Sequence, residues 1–344
     1  MGESTTIAVD LAKSVFEVAV SSHPGRVTER QRLSRAALAR FFAQRPPATV
    51  LLEACGTAHF WAREIERAGH RVRLLPAQHV RRYRQGNKTD RADAKALLEA
   101  FRNEAIRPVP VKTPAQQELT ALHRLRAAWH GTRTARINTL RGLLREQGVA
   151  IPAGAARFVS RALEFAGDAD SGLGDALRFA AFELVTEIRE LERRIGEVER
   201  RLEALGRQTP LVVRLRSVPG IGRLTSTALA GFVGDLRRFP SGRHFASYLG
   251  LTPRERSTGG TRRLGSITKR GDVYLRMLLI HGARAVLAAA VQQRDPDPLR
   301  RWALDASARL GHNKATVALA NKLARYAWAV ATHEVPFQTR AKAA

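Results

Sequence analysis

A pair of short apolar runs, each ending on a carboxylate, narrows the possible folds of this chain most. Ile7-Ala8-Val9 leads into Asp10, and Val50-Leu51-Leu52 leads into Glu53. Runs this short and continuously apolar read as strands covered on both faces, the habit of an α/β sheet. Phe16–Val20 alternates and reads as a hairpin partner of the first run, with Arg26–Leu33 as a third strand. Ser34 is placed to cap a helix through Gln44, and Pro46-Pro47 breaks the chain before the second run. Ala58–Ala68 reads as a helix ended by Gly69, Arg71–Leu75 as a strand and Thr89–Phe101 as a helix. Residues 1–110 therefore form a mixed α/β unit, closed by the Pro-rich stretch Pro108–Pro114.

The period then changes. From Ala115 to Gly148 it is helical, with Leu119, Leu122, Leu125 and Trp129 on one face and Ile137, Leu140 and Leu144 in register further on. Residues 149–176 are rich in Ala and Gly and give no clear period. Ala181–Leu205 is a heptad run, with Ile188, Leu191, Ile195, Val198, Leu202 and Leu205 at a and d positions. Such a seam closes either an antiparallel hairpin within the chain or a coiled coil between chains. From Gln208 to Ala331 the pattern is mainly helical around a basic, Gly-rich centre, and the residues after His333 read as a flexible tail. The expected divisions are 1–110, a helical and coiled-coil region 111–207, a helical basic domain 208–333 and a tail 334–344. No internal repeat is visible.

The acids at the strand ends suggest chemistry. If the two strands are neighbours, Asp10 and Glu53 project from one sheet edge. Asp90 and Asp93 stand at i and i+3 on the next helix, hence on one face. Four converging carboxylates repel one another unless a cation neutralises them. Mg²⁺ prefers oxygen ligands and is commonly held by carboxylates beside substrate phosphates. One or two such ions suit phosphodiester chemistry. Lys88 and Arg91, flanking Asp90, add cations for a phosphate. Actin-like kinases share a strand-ending Asp, but they need Gly-rich phosphate loops that this sequence lacks.

The charge points the same way. Lys and Arg total 58 against 31 Asp and Glu, a formal charge of +27 with a pI near 11.6. Self-repulsion of that size is relieved by a polyanion, so the expected partner is nucleic acid. Cys55 is the only cysteine, which excludes an internal disulfide and a Cys-based zinc site and suits a reducing cytoplasm. The start, Met1 to Thr6, does not have the form of a signal peptide. No stretch reads as long enough to span a membrane, so phosphates rather than lipids are expected as partner.

Further on, Ser217-Val218-Pro219-Gly220-Ile221-Gly222 precedes a helical run from Leu224 through Phe232. This suggests a helix-hairpin-helix in which Gly220 and Gly222 allow a tight turn and free N–H groups meet a phosphate. A plain turn between two core helices has the same sequence. Between Arg254 and Arg276 seven basic residues face two acids; Arg254, Arg256, Arg262, Arg263, Lys269 and Arg270 are the expected phosphate contacts. Ser257 sits amid them, before Gly259 and Gly260. Such a serine acts as a nucleophile on DNA when its hydroxyl is deprotonated, and otherwise as a loop residue bonding its own backbone.

In this order the motifs resemble one family. Asp10, the Glu53-Ala54-Cys55-Gly56 stretch, Lys88-Thr89-Asp90-Arg91-Ala92-Asp93, Pro219-Gly220-Ile221-Gly222, Gly250-Leu251-Thr252-Pro253, Ser257 and Lys269-Arg270-Gly271 are similar to those of insertion-sequence transposases with a RuvC-like four-acid domain, the group of Piv-type invertases and bridge-RNA-guided recombinases. The resemblance covers nearly the whole chain. It implies an N-terminal ribonuclease-H-like (RuvC-like) α/β domain, a helical coiled-coil region and a C-terminal transposase domain carrying a serine. Mg²⁺ on Asp10, Glu53, Asp90 and Asp93, a covalent phosphoserine at Ser257, donor and target DNA, and a structured element-encoded guide (bridge) RNA are further implications. So are a homo-oligomer, dimer or tetramer, with its active site assembled between protomers, and a prokaryotic, nucleoid-associated location in the cytoplasm. Many relatives read Ser-Ser-Gly where this chain reads Ser257-Thr258-Gly259, so the identity of the reactive serine rests on its first position. The alternatives are a RuvC-like Holliday-junction resolvase or nuclease using metal-activated water, and a non-catalytic nucleic-acid-binding protein.

Overall fold

The computed structural model describes residues 5–23, 26–85, 89–149, 154–168 and 171–338 of the chain. They fall into two compact units, Met1–Pro114 and Ala115–Ala344.

The first unit runs β1 (Thr6–Asp10), β2 (Val15–Ser21), β3 (Glu29–Ser34), α1 (Arg35–Ala43), β4 (Thr49–Glu53), α2 (Ala58–Arg67), β5 (Arg71–Leu75), α3 (Ala77–Val80) and α4 (Asp90–Phe101). The strands form a five-stranded sheet in the order β3-β2-β1-β4-β5. β1, β2 and β3 are an antiparallel meander, while β4 lies parallel to β1 and β5 parallel to β4. Both faces are covered, which is why β1 and β4 show no alternation. Ile7, Val9, Phe16, Val50 and Leu52 pack with Phe42 of α1 and Trp61 of α2. On the opposite face Ala8, Leu51 and Leu75 meet Ala96, Leu97 and Ala100 of α4. The helix starts follow side-chain caps. Ser34 Oγ accepts from the Ala37 N–H at 3.3 Å, and Thr89 Oγ1 from the Ala92 N–H at 3.2 Å.

The second unit is mostly helical. It opens with α5 (Pro114–Glu146), α6 (Ala155–Gly167) and α7 (Asp175–Arg207). α5 and α7 are antiparallel partners, joined by Arg126–Glu199, Arg133–Glu192 and Arg136–Glu187 at 2.6–2.8 Å. The heptad face is buried within this chain: Ile188 packs with Ile137, Leu140 and Leu144, and Val198 and Leu202 with Leu119. Of the two arrangements the sequence allowed, the antiparallel one within the chain accounts for that burial. α6 gave no clear period because small residues dominate it, yet Phe158, Val159 and Ala162 are buried against α5 and α7.

Then follow α8 (Pro210–Leu215), α9 (Arg223–Ala228), which continues through a π-turn at Leu229–Val233, and α10 (Gly242–Tyr248). β6 (Pro253–Glu255) and β7 (Leu264–Ile267) form an antiparallel hairpin that the sequence did not announce. The unit closes with α11 (Val273–Val291), α12 (Pro298–Leu310) and α13 (His312–His333). α11 is long and apolar enough to cross a membrane, contrary to the expectation that no stretch is. Its apolar side chains have another destination, since Leu275, Leu279, Ala283 and Leu287 lie in the core with Leu319 and Leu323 of α13. The expected flexible tail also begins differently. The Phe337 N–H donates to Ser217 Oγ at 2.7 Å and its ring lies 4.9 Å from that of Tyr326, so residues 334–338 dock on the unit. Residues 339–344 lie outside the described part.

Candidate functional site

The sheet pairing positions the acids. β1 and β4 pair in register from Thr6↔Thr49 to Val9↔Leu52, so Asp10 and Glu53 stand next at the C-terminal ends of neighbouring strands. Side chains alternate along a strand. Asp10 therefore shares the face of Ala8, and Glu53 that of Leu51, and both of those residues pack toward α4. α4 runs against β1. Its last residues Leu98 and Phe101 line a cleft with Thr6, Thr49 and Arg71 at the strand starts, while Asp90 lines another with Glu17. Glu17 is the cross-strand partner of Asp10. One end of one sheet face thus collects Asp10, Glu53 and the first turn of α4, which carries Asp90 and Asp93.

Glu17 belongs to this acidic end and the sequence reading missed it. An acid inside an alternating strand reads as solvent-facing. Closing the β1–β2 hairpin in register puts Glu17 opposite Asp10, the signal that could have found it. Cations neutralise part of the cluster. Arg84 pairs with Asp93 at 3.3 Å, and Arg30 and Arg32 approach Glu17 at 4.0 and 3.9 Å. Among the described residues no three His, Cys, Asp or Glu side chains stand close enough to hold a metal ion together. By chemistry the carboxylates still suit a hard divalent ion, since they offer only oxygen donors. Arg91 is exposed beside them, and Lys88 lies outside the described residues.

The second set of expected residues lies on the β6–β7 hairpin. Arg256 donates its N–H to the Arg263 carbonyl at 2.9 Å, and Thr258 bridges to Thr261 around Gly259 and Gly260. Both glycines have positive φ, 57° and 76°, the demand of a two-residue turn that follows the twist of its strands. Ser257 stands just before this turn and is exposed. Its hydroxyl donates to the Glu255 carboxylate at 2.7 Å and accepts from the Arg263 N–H at 3.3 Å. Arg254, Arg256, Arg262, Arg263, Lys269 and Arg270 are all exposed, and Arg262 approaches Glu255 at 3.5 Å. Arg276, counted in the same basic run, is different. It is buried, and its Nη1 donates to the carbonyls of Leu249 and Arg270 at 3.1 and 3.2 Å, tying the ends of the hairpin segment together.

The motif glycines also separate by role. A Cβ on Gly250 would meet the Arg270 carbonyl oxygen at 2.1 Å, and one on Gly271 the Tyr248 carbonyl oxygen at 2.0 Å. These two residues let backbone approach backbone. Gly220, at φ 80°, is pressed against Gly282 of α11 in the same way. Gly222 precedes α9 with open space around its Cα, and Arg223 beside it pairs with Glu199.

A model described as a transposase, of the DEDD type of IS110 elements, matches residues 7–148, and one described as the transposase IS116/IS110/IS902 family matches residues 212–296. The chain is 42% identical over 337 residues to a probable family 20 transposase of Pseudomonas aeruginosa, covering 96% of this chain and 98% of the relative. It is 36% identical to the transposase for insertion sequence element IS1111A of Coxiella burnetii, over 98% of this chain and 92% of that one. The transposase for insertion sequence element IS1328 of Yersinia enterocolitica is also 36% identical, with 98% and 99% covered. Transposase domains of the DEDD type generally work with divalent metal ions. Matched over nearly its whole length, the chain belongs to the IS110/IS116 family of insertion-sequence transposases, enzymes that cut and rejoin DNA.

Proposed function

We propose that this transposase breaks DNA by attack of the Ser257 hydroxyl on a backbone phosphorus and rejoins it by the reverse displacement. The observation that carries the reading is the hydrogen bond from Ser257 to Glu255, on an exposed hairpin rich in cations. As the Ser257 oxygen bonds to phosphorus, its proton passes to the Glu255 carboxylate and one phosphodiester P–O bond breaks. A phosphoserine and a strand ending in a hydroxyl result, the leaving oxygen taking a proton from solvent. The hydroxyl of an incoming strand then attacks the phosphoserine, and the serine oxygen is reprotonated as it leaves. Arg254, Arg256, Arg262, Arg263, Lys269 and Arg270 hold phosphates without reading bases.

Asp10, Glu53, Asp90 and Asp93 are the residues that would hold one or two Mg²⁺ ions. Such ions, when bound, supply Lewis-acid stabilisation of charge on phosphate oxygens. The sheet order β3-β2-β1-β4-β5 supports a ribonuclease-H-like, RuvC-like unit over residues 1–110. Residues 208–333 serve as the serine-bearing transposase domain, with Lys88, Arg91 and Gly222 as further backbone contacts. A structured RNA encoded by the element selects donor and target sequences by pairing. The chain works as a homo-oligomer, a dimer or tetramer, on nucleoid DNA in the cytoplasm.

The deciding experiment is denaturing electrophoresis of the protein after incubation with its DNA, followed by peptide mass spectrometry. A covalent adduct on the peptide bearing Ser257 is expected, and none in Ser257→Ala. Normal recombination by Ser257→Ala would overturn the serine reading and favour hydrolysis by activated water, as in a junction resolvase. Sequencing of copurifying RNA tests the guide; a defined species is expected, and an unselected mixture of cellular RNA removes that part.

A further inference from the structure

A groove runs between β7 and α13 within the second unit. One wall is Leu264–Ile267 of β7, and the other is one face of α13 presenting Lys314, Asn321, Lys322 and Arg325. No Asp or Glu lines it. Elsewhere in this unit many arginines are matched by an acid, as on α7, where Arg193 and Arg194 bind Glu190 and Arg200 and Arg201 bind Glu197. Lys314, Lys322 and Arg325 make no ion pair among the described residues.

Lys322 is the most telling of the three. Its ammonium sits 4.3 Å above the ring of Trp302 and 6.0 Å from that of Tyr326. Burial, and next the charge of Arg325, push its pKa down. A cation held partly out of water beside another cation is unfavourable until an anion joins it. The ring of Trp302 softens that cost and fixes the ammonium at the groove.

The spacing suits a polyanion. Lys314 and Arg325 are eleven residues apart, about 16 Å along a helix. One strand of duplex DNA carries a phosphate every ~3.4 Å of axis, so about five phosphates fall in that span. The other wall of the groove is a strand of the hairpin that bears Ser257, within the segment matched by the transposase family model. Continuity with that hairpin favours DNA over RNA.

We infer that the groove between β7 and α13 is a DNA-backbone site, in which Lys314, Lys322 and Arg325 take phosphates spread along the strand being processed. The inference rests on the reading that the hairpin bearing Ser257 works on DNA, and its test reads binding rather than adduct formation, so the two can fail separately.

The test is fluorescence anisotropy of the full chain with a labelled 30-base-pair DNA duplex, repeated with an RNA duplex of the same sequence over a salt series. The triple variant Lys314→Gln, Lys322→Gln, Arg325→Gln is expected to bind DNA at least tenfold more weakly, with a log–log salt slope reduced by about 2 to 3. Removing the same charge on α7, with Arg193→Gln, Arg194→Gln, Arg200→Gln, is expected to change affinity less than twofold. Lys314→Arg with Lys322→Arg, in an otherwise native chain, should retain binding, which separates loss of charge from loss of fold. Unchanged DNA affinity and slope in the triple variant overturn the inference. So does an equal loss in the α7 control, or a loss confined to RNA.

Discussion

Gly220 and Gly282 meet backbone to backbone, so closely that a Cβ on Gly282 would lie 2.0 Å from the Gly220 carbonyl oxygen. The glycine motif that suggests a phosphate-binding hairpin is at this point a contact between the turn before α9 and the middle of α11. Gly282→Ala should therefore destabilise the chain by about 2 kcal/mol or more, the usual cost of overpacking. Urea denaturation reads it. If Gly220→Ala instead lowers DNA affinity and leaves the denaturation midpoint in place, Gly220 faces the nucleic acid after all.

Arg276 holds the base of the hairpin segment through the carbonyls of Leu249 and Arg270. Arg276→Met keeps much of the volume and deletes both bonds. A loss on the order of 3 kcal/mol is expected from charged-donor hydrogen bonds. Strand transfer should fall with it, though the side chain is buried. Hydrogen exchange at Leu251 and Arg263 gives a local readout, and exchange unchanged from wild type would contradict the clamp.

Glu255 is the proton acceptor in the proposed attack. Glu255→Gln keeps the hydrogen-bonding shape and removes the base. Adduct formation should slow by about a hundredfold, the lower range for general-base assistance. Quench-flow measurement of the adduct tests this, with Glu255→Asp expected to retain more activity than Glu255→Gln. Equal rates in wild type and Glu255→Gln would remove Glu255 from the chemistry and leave Ser257 in question separately.

Asp10→Asn preserves size and removes one carboxylate from the acidic end. Strand cleavage is expected to fall at least a thousandfold, while DNA affinity stays the same or rises because a negative charge has gone. EDTA should reproduce the loss in wild type, with recovery on adding Mg²⁺. Cleavage that survives both treatments would argue for a purely structural cluster.

His123 gives the chain a pH dependence of stability. It is fully buried, with Nδ1 3.0 Å from the Tyr274 hydroxyl and Nε2 3.0 Å from Thr227 Oγ1. Burial, and next the charge of Arg126, lower its pKa from 6.5 to about 4. The unfolded chain therefore takes up a proton at this site below pH 6.5 while the folded chain does not. Stability is full above that pH and declines as the pH falls toward 4, by about 3 kcal/mol at most. His123→Gln should flatten this part of a curve of melting temperature against pH, and an unaltered slope would assign the dependence elsewhere.

The parts of this molecule that were legible before the structure are those ruled by local physics. The strand runs, the cap at Ser34 and the buried face of α7 follow from apolar period and side-chain hydrogen bonding within a few residues. The hairpin that carries Ser257 was not legible. Pro253–Glu255 and Leu264–Ile267 have one β-branched residue between them, Ile267, and no sustained alternation, and they are held by backbone bonds and by the two glycines of their turn. The glycines at 250, 271 and 220 were visible, but whether a missing side chain makes room for a phosphate or for another backbone depends on what folds against it. Glu17 joins the acidic end only through strand register, a relation between positions that no single stretch of sequence displays.

The matching of arginines by glutamates along α5 and α7 has an effect on the approach of DNA. Arg126, Arg133 and Arg136 are matched by acids of α7, and Arg193, Arg194, Arg200 and Arg201 by glutamates within α7, which weakens the outward field of this helical pair. By contrast, the segment Arg254–Arg270 and α13 together carry nine Lys and Arg against one acid, Glu255. Such a concentration of charge draws a polyanion and favours encounters made with the hairpin side of this unit first. Orientation is thus partly set in the bulk, before any groove is entered, and would show as an association rate that falls steeply with ionic strength.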